Sequence, residues 1–152
     1  MEPQNIFVRR ATVADLDRIA PLFDAYRQFY GQSPDLSVAR EFLRERLEQN
    51  ESVIFLALGP DGLCAGFTQL YPSFSSAGAK RIFILNDLFV DPAARHSGVG
   101  RALLEAAADF GRSAGAVRLT LSTAHTNTSA QSLYEVSGWL RDEIFRSYHL
   151  AL

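Results

Sequence analysis

Leu88-Phe89-Val90-Asp91-Pro92-Ala93-Ala94-Arg95-His96-Ser97-Gly98-Val99-Gly100-Arg101 is the stretch that decides the fold. Its first residues end an apolar, β-branched run that begins at Arg81 and suits a central strand, and Asp91-Pro92 stops it. Val99, Leu103, Ala106 and Phe110 then share one helical face, and Gly115 closes that helix. A strand therefore runs through a glycine-bearing loop into an amphipathic helix. Glycines at a helix start leave backbone N–H groups uncovered. Those donors, with the positive end of the helix dipole, bind a phosphate or pyrophosphate. Arg95 and Arg101 add guanidiniums for charge-assisted bonds. A dinucleotide-binding G-x-G-x-x-G needs a small residue where Leu103 stands and usually opens a chain's first β-α-β unit, so it fails twice. A P-loop needs Gly-Lys-Ser/Thr, and the sole lysine is Lys80. Taken alone, Gly98-Val99-Gly100 reads equally well as a tight strand-to-helix turn.

Working outward, residues 6–10 form a short β-prone run. Thr12-Val13-Ala14-Asp15 marks a helix start, with Thr12 as N-cap and an acidic residue in the first turn. Leu16, Ile19, Phe23, Tyr26 and Tyr30 make a helical stripe that Pro21 kinks or splits. Residues 36–47 read as a second helix. Residues 52–58 and 63–71 read as hairpin arms joined by Gly59-Pro60-Asp61-Gly62. Residues 73–80 read as a polar loop. After the central strand and its helix, residues 117–121 alternate as a half-buried strand. Residues 129–137 are a short helix ended by Gly138, and residues 140–150 are the last strand. The order β-α-α-β-β-β-α-β-α-β puts antiparallel hairpins in the middle and one parallel crossover after them. The fold class is therefore α/β (α+β), with a mixed sheet.

At 152 residues the chain is sized for one domain, 1–152, and 47 % apolar content allows a sizeable core. Fifteen basic against 17 acidic residues, a net charge of -2, with scattered arginines, argue against nucleic acid as a partner. One cysteine, Cys64, forms no intrachain disulfide, and with only three histidines it builds no Cys/His zinc cage; no metal is expected. Cys64 sits in an apolar run and reads as a core residue. No apolar stretch approaches the ~20 residues of a membrane helix. The N-terminus lacks a basic region followed by an apolar run, so the expected compartment is the cytoplasm.

Arg95-x-x-Gly98-x-Gly100 matches the R/Q-x-x-G-x-G/A motif of the GNAT superfamily of acyl-CoA-dependent N-acetyltransferases, and Leu88-x-Val90-x-Pro92 precedes it at that family's spacing. Asn127-x-x-Ala130-x-x-Leu133-Tyr134-Glu135-x-x-Gly138-Trp139 resembles the family's second motif. The resemblance covers nearly the whole chain. It implies a mixed sheet of about six to seven strands flanked by about four helices, a count the periodicity also supports. It also implies acetyl-CoA as co-substrate, an amine acceptor, and admits a homodimer. Gly66-Phe67 to Tyr71 and Leu85 to Val90 look loosely like the spermidine/spermine branch.

By the resemblance, Arg95, His96, Ser97, Gly98, Val99, Gly100 and Arg101 hold the pyrophosphate. The backbones of Leu88, Phe89 and Val90 align the pantetheine, where the sheet opens. Asn127 and Ala130 touch that arm, although Asn127 also reads as a helix cap, and Thr128-Ser129-Ala130-Gln131 as a capping box. Tyr134, seven residues after Asn127, is the expected general acid that protonates the departing thiolate. The usual base positions hold Asn86 and Ile84, which do not titrate. Asp87, turned to the opposite face by strand alternation, and His125 are alternatives, as is proton loss through water. Tyr26, Phe29 and Tyr30 border the acceptor cleft as a wall for a cation, or simply pack. Tyr26, Tyr30, Asn86 and Asp87 are the acceptor-side residues. The resulting reading is direct acetyl transfer to a small primary amine in a ternary complex. Its rivals are a protein or peptide N-acetyltransferase and a non-catalytic acyl-CoA sensor.

Overall fold

The computed structural model describes residues 5–152. The chain forms two compact units, Met1–Ser122 and Thr123–Leu152. The first holds a five-stranded sheet in the order β1-β2-β3-β4-β5: β1 (Phe7–Arg10), β2 (Val53–Leu58), β3 (Cys64–Ser75), β4 (Lys80–Val90) and β5 (Leu119–Thr120). All neighbours are antiparallel except β4 and β5, which are parallel. The sheet is thus mixed, as expected. The helices of this unit are α1 (Leu16–Phe29), α2 (Leu36–Glu48) and α3 (Val99–Ser113).

Local chemistry sets the ends of these elements. The Thr12 hydroxyl accepts from Ala14 N at 3.3 Å, while Thr12 N donates to Asp15 Oδ2 at 2.9 Å, a reciprocal cap on the turn that leads into α1. Arg9 grips the same carboxylate with two N–H donors at 2.7 and 2.9 Å. Pro21 neither splits α1 nor ends it. Pro21 and Asp17, four residues earlier, are both exposed, so the carbonyl that loses its helical partner faces water. The Asp35 side chain caps α2 through Val38 N at 3.1 Å. Gly62, at φ +78°, turns the β2–β3 hairpin. The polar loop expected over residues 73–80 is shorter: β3 and β4 stay paired out to Ser75↔Lys80, and only residues 76–79 turn.

Two apolar layers cover the sheet. On one face, Leu16, Ile19, Leu22 and Phe23 of α1, with Ala39 and Leu43 of α2, pack on Ile54, Leu56, Phe67 and Phe89. Fully buried side chains such as Ile19 and Leu43 contribute about 1.5–3 kcal/mol each. On the other face, Val99 and Leu103 of α3 pack on Ala57, with Phe55, Ala65, Leu88 and Val90 around them. Cys64 is half-buried against the α1–α2 layer, and burial pushes its thiol pKa up. No helix among the described residues is long and apolar enough to cross a membrane.

Thr123–Leu152 contains α4 (Thr128–Val136), closed by Gly138 at φ +92°. Trp139 N donates to Tyr134 O at 3.0 Å and Gly138 N to Glu135 O at 3.2 Å, a paired C-terminal cap. The last strand expected over residues 140–150 is not formed. Asp142 Oδ1 instead takes the amides of Ile144 and Phe145, bending the backbone where a ladder would need it extended. The strand expected over residues 117–121 shortens to Leu119–Thr120. The sheet accordingly has five strands where about six to seven were expected.

Candidate functional site

The two strands that meet at the sheet's parallel edge part company early. β5 pairs with β4 only at Phe83↔Leu119 and Ile84↔Thr120. Beyond Ile84, β4 keeps β3 on one edge and has no strand on the other among the described residues. Leu88, Phe89 and Val90 lie on this open stretch, which leads straight into the glycine loop.

That loop is held by a backbone bond to β3 and by two of its own side chains. Asp91 N donates to Ala65 O at 2.8 Å, and Asp91 Oδ1 accepts from Ala93 N at 2.9 Å. The Ser97 hydroxyl donates to Ala94 O. His96 and Gly98 are both left-handed, at φ +63° and +86°. Gly98 is the N-cap of α3, and no side chain caps the helix. The first N–H groups of a helix have no carbonyl of their own, so Val99, Gly100 and Arg101 present amide donors with the dipole behind them. A Cβ on Gly98 would meet nothing within 4 Å; the conformation, not crowding, calls for glycine there.

The guanidiniums differ. Arg95 donates through Nε to Val90 O at 3.1 Å and lies 5.6 Å from the Phe89 ring centroid, so its other nitrogens stay beside the loop. Arg101 pairs with Glu105 at 3.5 Å on the exposed surface. Anion-binding donors at an uncapped helix start, with two arginines, fit the pyrophosphate of a coenzyme A thioester.

Gly66 matters here and was missed in the sequence. A Cβ on it would stand 2.9 Å from Phe89 O, 2.9 Å from Val99 Cγ1 and 3.2 Å from Leu103 Cδ1. Its missing side chain lets the first turn of α3 sit against the sheet.

On the opposite face, under α1, β4 bulges. Gln69 faces Asp87 but Leu70 faces Leu85, which leaves Asn86 without a partner on β3. Asn86 is exposed while Asp87 is 3 % exposed. Asp87 shares its face with Phe89, opposite to Leu88 and Val90, as strand alternation requires. Its carboxylate accepts from Gln69 Nε2 and from Asn86 Nδ2 (3.0 Å). The Tyr26 hydroxyl donates to Asn86 O at 3.3 Å and stands beside Asp87. Burial first, then the Asp87 charge, push the phenols of Tyr26 and Tyr71 above their ordinary value. Tyr26 is half-buried against Phe23, Phe67 and Phe89, while Phe29 and Tyr30 are exposed. Thr68 and Gln69, two adjacent polar residues between Phe67 and Leu70, were the legible signal for this cluster.

Within Thr123–Leu152, Asn127 is the cap of α4, its Oδ1 accepting from Ala130 N at 3.2 Å. The capping box expected from Thr128 does not form, because Gln131 instead donates to Ala124 O and His125 O. Tyr134 stands on α4 with its ring 6.1 Å from that of Trp139.

The chain matches the Acetyltransferase (GNAT) family over residues 18–139. It is 52 % identical over 143 residues to an uncharacterised N-acetyltransferase, YhfO, of Bacillus subtilis, covering 94 % of this chain and 95 % of that one. It is 31 % identical over 101 residues to an aminoglycoside N(6')-acetyltransferase of Klebsiella aerogenes, 65 % of this chain and 66 % of that one. A crystal structure of a probable acetyltransferase, 44 % identical, superposes with a TM-score of 0.91 over 96 % of this chain and 97 % of that one.

Proposed function

Because the chain belongs to the GNAT acetyltransferase family and is an acyl-CoA-dependent N-acetyltransferase, we propose that it acetylates a primary amine of a small, cationic molecule by direct attack in a ternary complex. The observation that carries this reading is the open edge of β4 running into the uncapped start of α3. Acetyl-CoA supplies the activated acyl carbon. The amides of Gly98, Val99, Gly100 and Arg101 hold its pyrophosphate, with Arg95, His96 and Ser97 lining the same loop. The backbones of Leu88, Phe89 and Val90 align the pantetheine arm along the strand edge. Asn127 and Ala130 add contacts to that arm, and Tyr134 gives the departing thiolate its proton. Cys64 is no nucleophile, since burial keeps its thiol protonated. No acyl-enzyme is therefore invoked. The family match runs through residues of both units, which supports reading residues 1–152 as one domain, working in the cytoplasm.

Three observations favour a small amine. A partial relative is an aminoglycoside acetyltransferase. Tyr30, exposed beside Tyr26, offers a ring to an alkylammonium. The net charge is -2. A sensor without turnover is the second reading, favoured by Ile84 and Asn86, which do not titrate at the usual base positions. Thiol release from acetyl-CoA, measured with diamines, polyamines, amino acids, aminoglycosides and peptides, separates these readings. Turnover with one or more small amines is the expected result. Turnover with peptides alone overturns the small-molecule acceptor. Coenzyme A binding with no turnover at all leaves the sensor.

A further inference from the structure

Asp24 is a buried carboxylate on a helix whose other buried residues, Leu16, Ile19, Ala20, Leu22 and Phe23, are all apolar. A carboxylate leaves water at a cost unless it is paired and hydrogen-bonded. The partners of Asp24 come from two helices. Its Oδ1 accepts from Arg27 Nη1 at 2.8 Å and its Oδ2 from Gln28 Nε2 at 3.3 Å, both in the last turn of α1. Both oxygens also face Asp35 N, at 3.1 and 3.3 Å, and Asp35 is the N-cap of α2. One carboxylate thus ties the end of α1 to the start of α2. Arg27 Nη1 donates onward to Ser33 O at 3.4 Å, and Gln32 N donates to Arg27 O at 3.0 Å. Turns between helices lie on the surface and move more than the elements they join. The bonds to Asp24 and Arg27 restrain this one.

What the restrained turn carries is the aromatic end of α1. Tyr30 is the C-cap of that helix and is 53 % exposed. Its ring lies 5.0 Å from that of Tyr26 and 5.2 Å from that of Phe29. The Tyr26 hydroxyl in turn donates to Asn86 O, on the stretch of β4 whose outer edge is open. Tyr30 therefore stands one ring away from the strand that carries the co-substrate in the amine-transfer reading. A side chain this exposed has little packing to hold it, so the backbone beneath it sets its place. That backbone runs directly into the turn tied down by Asp24.

We propose that Asp24 is a positioning residue for acceptor binding: by fixing the turn between α1 and α2 it holds the Tyr30 ring where an acceptor's alkylammonium rests. The assignment rests on the amine-transfer reading above. Asp24 touches no reactant and acts through Tyr30. Its loss therefore weakens the bound acceptor and the transition state alike, which raises acceptor KM and leaves kcat in place. Coenzyme A is held by the loop before α3 in the same reading, so its affinity does not depend on Asp24.

The experiment is a double-mutant cycle on acceptor KM, read by thiol release from acetyl-CoA with 1,4-diaminobutane, kanamycin and a lysine-bearing peptide, beside calorimetric titration of coenzyme A. Tyr30→Ala removes the ring and is expected to raise acceptor KM about fivefold, the worth of an exposed cation–π contact. Asp24→Ala frees Asp35 N and Arg27 and is expected to raise it about as much, with kcat and coenzyme A affinity unchanged. The double variant is expected to match Tyr30→Ala alone, because Asp24 acts through that ring. A residue that served folding alone would lower Tm and leave acceptor KM where it was. Asp24→Asn keeps the shape and an oxygen for Asp35 N but gives up the charge, and is expected to raise acceptor KM about twofold. A folded Asp24→Ala with wild-type acceptor KM overturns the positioning role, as does a wild-type KM in Asp24→Asn where the alanine variant does not fold. A matching fall in coenzyme A affinity, or effects that multiply in the double variant, overturns it equally. Wild-type enzyme that releases no thiol with any acceptor overturns the amine-transfer reading and the role of Asp24 with it.

Discussion

Replacing Gly66 with alanine isolates the contact that seats α3 on the sheet. The new Cβ would stand 2.9 Å from Phe89 O and 2.9 Å from Val99 Cγ1, against the 3.4 Å where ordinary contact begins. Backbone on β4 cannot rotate aside as a side-chain tip does. The misfit of about 0.5 Å must therefore be taken up by the first turn of α3, where Val99 is 2 % exposed and Leu103 fully buried. Overpacking of this kind costs about 1–3 kcal/mol, which in a domain of this size lowers Tm by roughly 2–12 °C. The same shift moves the amides of Val99, Gly100 and Arg101 relative to the open edge of β4. Misplacement on the ångström scale costs up to about a hundredfold in a positioned site, so half that shift is expected to weaken coenzyme A binding by about tenfold. The assay pairs a thermal melt with calorimetric titration of coenzyme A into the folded variant. A Gly66→Ala protein with wild-type Tm and wild-type coenzyme A affinity would refute the seating role of Gly66.

Tyr134→Phe is expected to fold normally and lose about 10²–10⁴-fold in kcat, with acetyl-CoA KM little changed; steady-state thiol release checks this, and a loss under about threefold reassigns Tyr134 to packing against Trp139. The two Arg9 N–H donors hold the Asp15 carboxyl below the usual carboxylate range, against the opposing effect of burial, with Thr12 N assisting. A depressed pKa in the folded state means stability that is present above the unfolded value of about 3.9 and is lost as pH falls through the folded one. Asp15→Asn is therefore expected to cost about 1–3 kcal/mol at pH 7. The gap from wild type should narrow below about pH 4, as thermal melts across pH report.

The fold was legible where pattern and punctuation agree. Leu88–Val90, the Asp91-Pro92 stop and the Val99, Leu103, Phe110 stripe gave the strand, loop and helix that carry the amide donors. Thr12 and Asp15 announced the start of α1. Pro21 did not split α1; its effect depends on whether the orphaned carbonyl faces water, which composition does not show. The end of the chain misled because the apolar residues between Leu140 and Leu150 say nothing of a partner edge, and Asp142 turns the backbone locally. Within the site, the open edge of β4 came from the resemblance and not from periodicity. The bulge at Asn86 is a register event between two strands and leaves no mark in either one alone. Gln69 and Gly66 stand in a stretch read only as a hairpin arm, and their roles rest on contacts with residues 18 to 37 positions away.

The account stands on the α3 N-terminal loop as the seat of the co-substrate. Calorimetric titration of coenzyme A into wild-type protein and into Gly98→Glu tests it most directly. The glutamate puts a carboxylate at uncapped amides and a side chain at φ +86°. Micromolar-range binding to wild type and at least a tenfold loss in the folded variant, about 1.4 kcal/mol or more, is the predicted result. Equal affinity in a Gly98→Glu protein whose melt shows it folded would contradict the account.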